Sequence, residues 1–149
     1  MNYLWQHYGL LVFILLVVSM SAAVSYGLSL QSGWASLAER FRFEGKFIGR
    51  RLRWAGGQMG PFGLYYGIVR VGANSEGLYL TVNPILRLFH APLFIPWTQI
   101  RITNDGRSSW GFVRFELGRE QRVPLFLQGE AADVAKSAAG ALSSLHTAI

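Results

Sequence analysis

The chain has 149 residues, a formal net charge of +6 and no cysteine, which excludes a disulfide framework and a thiolate metal site. Just over half of its residues are hydrophobic, and the 116 residues beyond position 33 are enough for one compact domain with one core.

Tyr8 to Leu30 carries no charged residue and begins as a nearly continuous aliphatic run. As a helix these 23 residues reach about 34 Å, enough to cross a hydrocarbon core of about 30 Å. The expectation is an N-terminal transmembrane anchor over residues 1–31. Ser21-Ala22-Ala23 offers the competing reading of a signal-peptide cleavage site, but a signal peptide wants positive charge before its apolar region and no Asp, Glu, Lys or Arg precedes Glu39. A buried core helix fits less well, because the uncharged run is longer than soluble cores normally use.

Arg40, Arg42, Lys46, Arg50, Arg51 and Arg53 follow the span against only Glu39 and Glu44, so the Lys/Arg excess puts the N-terminus outside and the domain in the cytoplasm. Tyr3, Trp5 and Tyr8 at one end, with Tyr26 and Trp34 at the other, fit interfacial aromatic belts. Within the span Ser19, Ala23 and Gly27 recur every four residues, a small-residue face that admits close packing of another helix. The alternative is that small residues are simply tolerated there.

Residues 32–54 form a juxtamembrane segment. Trp34, Leu37, Ala38 and Phe41 have the spacing of a short amphipathic helix capped by Ser32, lying along the interface or against the domain. The basic run beyond it carries most of the chain's net charge, and each cation near an anionic leaflet contributes about 1 kcal/mol. Membrane lipids therefore explain the charge before nucleic acid is invoked, and no nucleic-acid-binding motif occurs. The glycine-rich stretch Trp54–Gly63 lacks the Gly-Lys-Ser/Thr of a phosphate loop. It reads either as a flexible connection or as a loop whose tip, Met59 and Phe62, contacts lipid or a partner with Arg50, Arg51 and Arg53 behind it.

Residues 55–149 read as an antiparallel β domain. Tyr65 to Val71 and Leu78 to Val82 flank a turn at Ala73–Gly77; Ile100 and Ile102 precede Asn104-Asp105-Gly106; Val113 to Leu117 and Val123 to Leu127 flank Gly118–Gln121. Ala131, Val134, Ala135, Ala138, Leu142 and Leu145 then form a helical stripe. A curled antiparallel sheet closed by one C-terminal helix is the architecture of a pleckstrin-homology-like (PH-like) or GRAM-like barrel, so the expected class is mainly β with a membrane anchor. Pro92 and Pro96 bracket Leu93–Ile95 as a short edge strand, and Trp97 reads as a core tryptophan rather than a binding residue.

Gly77, Leu78, Tyr79, Leu80, Arg87, His90, Pro92, Leu93, Ile95, Pro96, Trp97 and Ile100, with Gly33-Trp34 and Leu37-Ala38, form a pattern that resembles a group of membrane-anchored bacterial proteins with a PH-like or GRAM-like domain. The resemblance covers about residues 33 to 102, and the chain departs from it at Ala91 and at Thr98-Gln99. It implies a fold and a bacterial inner-membrane setting, and no activity. Arg87 and His90 either hold an anion together or form a solvated turn.

No His-x-x-x-His, Gly-x-Ser-x-Gly or paired acidic motif occurs, so a non-enzymatic role without cofactor or metal is expected. The leading expectation is an accessory or adaptor subunit of an inner-membrane protein complex, with other membrane subunits as partners. An anionic-lipid-sensing module is the alternative, and an enzyme using Arg87 and His90 the weakest reading.

Overall fold

The computed structural model describes residues 2–52, 57–60, 68–103 and 111–147. Helix α1 (Asn2–Gln31) runs directly into a short second helix, α2 (Trp34–Phe41). From His7 to Gln31, α1 is long and apolar enough to cross a membrane. Gly33 makes the corner at φ 81°, a left-handed conformation that favours glycine, and a Cβ there would lie 2.7 Å from Val123 Cγ2. Ser32 accepts a hydrogen bond from the Trp34 N–H at 3.3 Å, while Gly33 itself occupies the cap position of α2.

Beyond α2 the described residues contain β1 (Arg50–Leu52), β2 (Gly57–Met59), β3 (Val69–Ala73), β4 (Gly77–Val82), β5 (Leu93–Pro96), β6 (Ile100–Thr103), β7 (Phe112–Leu117) and β8 (Val123–Gln128). A C-terminal helix, α3 (Glu130–Thr147), follows. The strands form two four-stranded antiparallel sheets, in the orders β1-β3-β4-β5 and β2-β8-β7-β6. The expected closed barrel is therefore corrected to two separate sheets among the described residues. A physical cause lies at the crossing from β5 to β6, where Pro96 has no N–H to donate and Trp97–Gln99 turns as a 3-10 helix, interrupting the ladder.

Alternation along the strands builds the core. Val69, Val71, Leu78, Leu80, Leu93 and Ile95 of the first sheet and Val113, Phe115, Leu117, Leu125 and Leu127 of the second are all buried. Ala131, Ala132, Val134 and Ala135 of α3 join the same cluster, and their small side chains let the helix backbone sit close to the strands. The expected turn at Ala73–Gly77 is present: Asn74 Oδ1 accepts from the N–H groups of Glu76 and Gly77 at 2.9 and 3.0 Å. Trp97 is buried, and its indole N–H donates to the Asn74 carbonyl at 2.9 Å, tying the second crossing to the first hairpin. The edge position expected for Leu93–Ile95 is also found, since β5 ends its sheet. Tyr65 and the Asn104–Gly106 turn lie outside the described residues.

Two segments differ from their sequence reading. Trp34, expected at a membrane boundary, is fully buried with Leu37 in the domain core, which gives α2 the second of its two expected placements, against the domain. The glycine-rich stretch contributes β2, in which Met59 pairs with Leu125 and is 1% exposed. Gly57 fits closely there: a Cβ would lie 3.1 Å from Leu127 Cδ2, so a larger residue would need the leucine to shift.

Candidate functional site

The most elaborately built polar contact joins α1 to the 3-10 turn Pro84–Phe89. Ser25, Ser29 and Ser32 follow at intervals of four and three, which places their hydroxyls on one helix face, and all three are buried. Ser25 donates to the Leu86 carbonyl at 3.2 Å and Ser29 to the Phe89 carbonyl at 2.9 Å. The carbonyls of a short 3-10 turn lack regular partners, and serines projecting from a neighbouring helix satisfy them.

His90 closes this arrangement. It is fully buried, with Nδ1 at 2.9 Å from the Leu86 carbonyl and 3.3 Å from Ser25 Oγ. Because a carbonyl only accepts, Nδ1 carries the proton and the neutral ring is the Nδ1–H tautomer. Burial pushes the His90 pKa below its ordinary value, and the bond to Leu86 opposes that shift only in part. The Trp34 ring stands edge-on to the imidazole at 5.3 Å, and its indole N–H donates to the Ala91 carbonyl at 2.9 Å. Tyr26 meets Phe89 edge-on at 5.4 Å on the same side of the helix. Together these contacts lock the end of α1 onto residues 84–91.

A second cluster covers the outer face of the first sheet. Register puts Arg51, Gly72, Tyr79 and Phe94 in one row across β1, β3, β4 and β5. Phe47, from the loop before β1, stacks on Tyr79 with centroids 4.6 Å apart and planes 13° from parallel. It lies over Gly72, where a Cβ would come within 2.8 Å of its ring, so this row needs a residue without a side chain. The Arg51 guanidinium sits 5.3 and 5.5 Å from the centroids of Phe47 and Tyr79 and donates to the Phe47 carbonyl.

The residues singled out from sequence are distributed as follows. Arg87 is exposed on the 3-10 turn, whereas His90 is buried against α1 and bonded to backbone. Arg50 forms an exposed ion pair with Glu130 at 3.0 Å, and its neighbour Arg51 belongs to the aromatic cluster. Met59 is in the core; Arg53 and Phe62 lie outside the described residues. Ser19 and Ala23 are exposed, and a Cβ added at Gly27 would meet nothing within 4 Å. At 100° per residue their face is turned about 150° from that of Ser25, Ser29 and Ser32, so it points away from the chain's own domain.

Sequence reasoning singled out the Ser19, Ala23 and Gly27 face instead of the one that carries Ser25, Ser29 and Ser32, although the spacing of four and three was visible among the small residues. Among the described residues no group of three or more His, Asp or Glu is placed to hold a metal ion. Comparison with protein-family models and with curated proteins finds no match.

Proposed function

We propose that the chain is a non-catalytic adaptor subunit of a protein complex in a bacterial inner membrane. In this reading α1 spans the bilayer once with its N-terminus in the periplasm, and the PH-like domain lies in the cytoplasm. The observation that carries the reading is the serine clamp, which fixes the domain on the helix with no linker between them. A tether that merely keeps a domain near a membrane needs no such fixed geometry. A subunit that must meet partner helices and a partner's soluble surface at once does, because a rigid pair of surfaces avoids the ordering entropy of a flexible one.

Two further features support it. Every large apolar side chain of α1 from Tyr8 to Met20 that is described is about half exposed or more, so this stretch is left largely uncovered by the described residues. The open face of Ser19, Ala23 and Gly27 is directed away from the domain, where a second helix has room to approach. The excess of Lys and Arg after the span supports the orientation.

Purification of the tagged full chain in mild detergent is expected to recover stoichiometric partner subunits. Recovery of the chain alone and monodisperse overturns the adaptor reading. A reporter fused after Ile149 is expected to be active only on the cytoplasmic side, and periplasmic activity overturns the orientation.

A further inference from the structure

Four cations from four separate segments line one cleft on the outer face of the first sheet. Lys46, Arg51, Arg70 and Arg87 surround a space of about 490 Å³, with Tyr79 and Thr81 completing its polar wall. Arg70 and Thr81 are paired across β3 and β4, two residues along from the Arg51–Gly72–Tyr79 row and on the same face, so the floor is set by strand register. Among the described residues no Asp or Glu lines the cleft, and none of Lys46, Arg70 and Arg87 is ion-paired with another described residue. Arg51 is already held by the Phe47 and Tyr79 rings and by the Phe47 carbonyl. Like charges gathered without a carboxylate repel one another, and an anion entering among them turns that repulsion into attraction. Planar guanidinium groups match the oxygens of a phosphate in geometry as well as in charge.

Pro84 and Arg87 are also part of the wall of a neighbouring groove of about 520 Å³ along α1, lined further by Val17, Val18, Ala22 and Leu88 and by the hydroxyl-bearing Ser21 and Ser25. Leu88 is 73% exposed, a large apolar side chain left at the mouth of an apolar groove. The cationic cleft thus shares a wall with a mostly apolar groove along the helix that is long and apolar enough to cross a membrane.

We infer that the cleft binds the phosphate of an anionic phospholipid while one acyl chain lies in the groove between α1 and the 3-10 turn. The phosphate chemistry follows from the four cations. The lipid source rests on the reading of α1 as a membrane span and on the mostly apolar groove that shares Pro84 and Arg87 with the cleft.

The test uses the full chain in an uncharged detergent, with bound lipid counted by native mass spectrometry after addition of dioleoyl phosphatidylglycerol or dioleoyl phosphatidylcholine. Phosphatidylglycerol is expected to be retained at least about tenfold better. The Arg70→Gln/Arg87→Gln variant is expected to fall to the phosphatidylcholine level, whereas Arg119→Gln/Arg122→Gln, beside Glu116 on the second sheet, retains the parent preference. Lys46→Glu, on an exposed loop, lowers retention too and serves as a second variant if the double one does not fold. Equal retention of phosphatidylglycerol by the parent and by a folded Arg70→Gln/Arg87→Gln or Lys46→Glu chain overturns the site. Glycerol phosphate displacing phosphatidylglycerol equally well from the parent and from Leu88→Ser makes the ligand a free phosphate and overturns the lipid assignment. The measurement is made on the chain alone, so its outcome is separate from the recovery of partner subunits.

Discussion

From Tyr8 to Met20, α1 exposes its apolar side chains on every side; from Ser25 to Ser32 the same helix buries three hydroxyls. A helix of a soluble protein does the opposite, turning apolar side chains inward and polar ones to water. The first half is left uncovered by the described residues and suits an apolar surrounding, while the second half has partners of its own, the carbonyls of residues 86 and 89. The changeover, at about Val24, marks where the helix begins to pack on the domain. Tyr26, Leu88 and Phe89 lie near that level.

The largest effect that sharpens this comparison is expected just past the clamp. Trp34→Ala removes a fully buried indole together with its bond to Ala91, and a cavity of this kind costs about 3 to 5 kcal/mol. That is a large part of a small domain's usual stability of about 5 to 15 kcal/mol. Chemical unfolding of the full chain in detergent is expected to show it, and Trp97→Ala is expected to match it in size. Leu11→Ala, in the exposed half, is expected to leave the unfolding of the domain within about 0.5 kcal/mol of the parent. A drop as large as that of Trp34→Ala would break the division of the helix into two halves.

Next in size is the clamp itself. Ser25→Ala with Ser29→Ala strips the Leu86 and Phe89 carbonyls of their hydroxyl donors, and part-buried bonds of this kind contribute about 1 kcal/mol each. Ser19→Ala with Ser21→Ala, on the same helix but in its exposed part, is expected to change domain stability by less than the clamp pair. Equal losses from the two pairs would mean that the serines act through helix propensity and not through the 3-10 turn.

His90 adds a pH dependence to the clamp. Its folded pKa lies below the ordinary value of 6.5, so the unfolded chain binds the proton more readily. The stability linked to a neutral His90 is present in full above about pH 6.5 and is lost as pH falls below that value toward the folded pKa. Melting temperature is therefore expected to fall between pH 7.5 and pH 5.5, and His90→Phe is expected to flatten that slope while lowering stability at pH 7.5 by about 1 to 3 kcal/mol. An unchanged slope in His90→Phe would assign the pH dependence to another group.

The fold was legible where one residue type had one physical use. Asn74 before Glu76-Gly77 made a side-chain-capped turn, Pro92 and Pro96 kept a strand at an edge, and the alanine stripe of α3 could only pack closely. Trp34 was illegible, because a tryptophan four residues past an apolar run has the same composition at a bilayer surface as in a core. A three-residue strand such as β2 has no period to detect within a glycine-rich stretch. The cleft was illegible for another reason: residues 46, 51, 70 and 87 have no spacing that local chemistry could recognise, and only the register of three strands and the docking of a turn bring them together. Ser25, which meets His90 from the helix, is likewise 65 residues away from it.

The smallest effect separates two adjacent arginines that the sequence presents as equivalent. Alternation along β1 sends Arg50 and Arg51 to opposite faces. Arg50 reaches Glu130 in a pair whose side chains remain about two-thirds exposed, and such pairs contribute little once solvent screens them. Arg50→Gln is therefore expected to shift stability by under about 0.5 kcal/mol. Arg51 lies over the Phe47 and Tyr79 rings and holds the Phe47 carbonyl, so Arg51→Gln loses a cation–π contact of about 0.5 to 1 kcal/mol with that bond. Thermal melts of the two single variants compare them directly, and Arg51→Lys tells charge from shape, since an ammonium keeps the charge but not the flat stacking surface. If Arg50→Gln destabilises more than Arg51→Gln, the fixed arginine of the outer face is not the one packed on the aromatic rings, and its role in shaping the cleft falls with it.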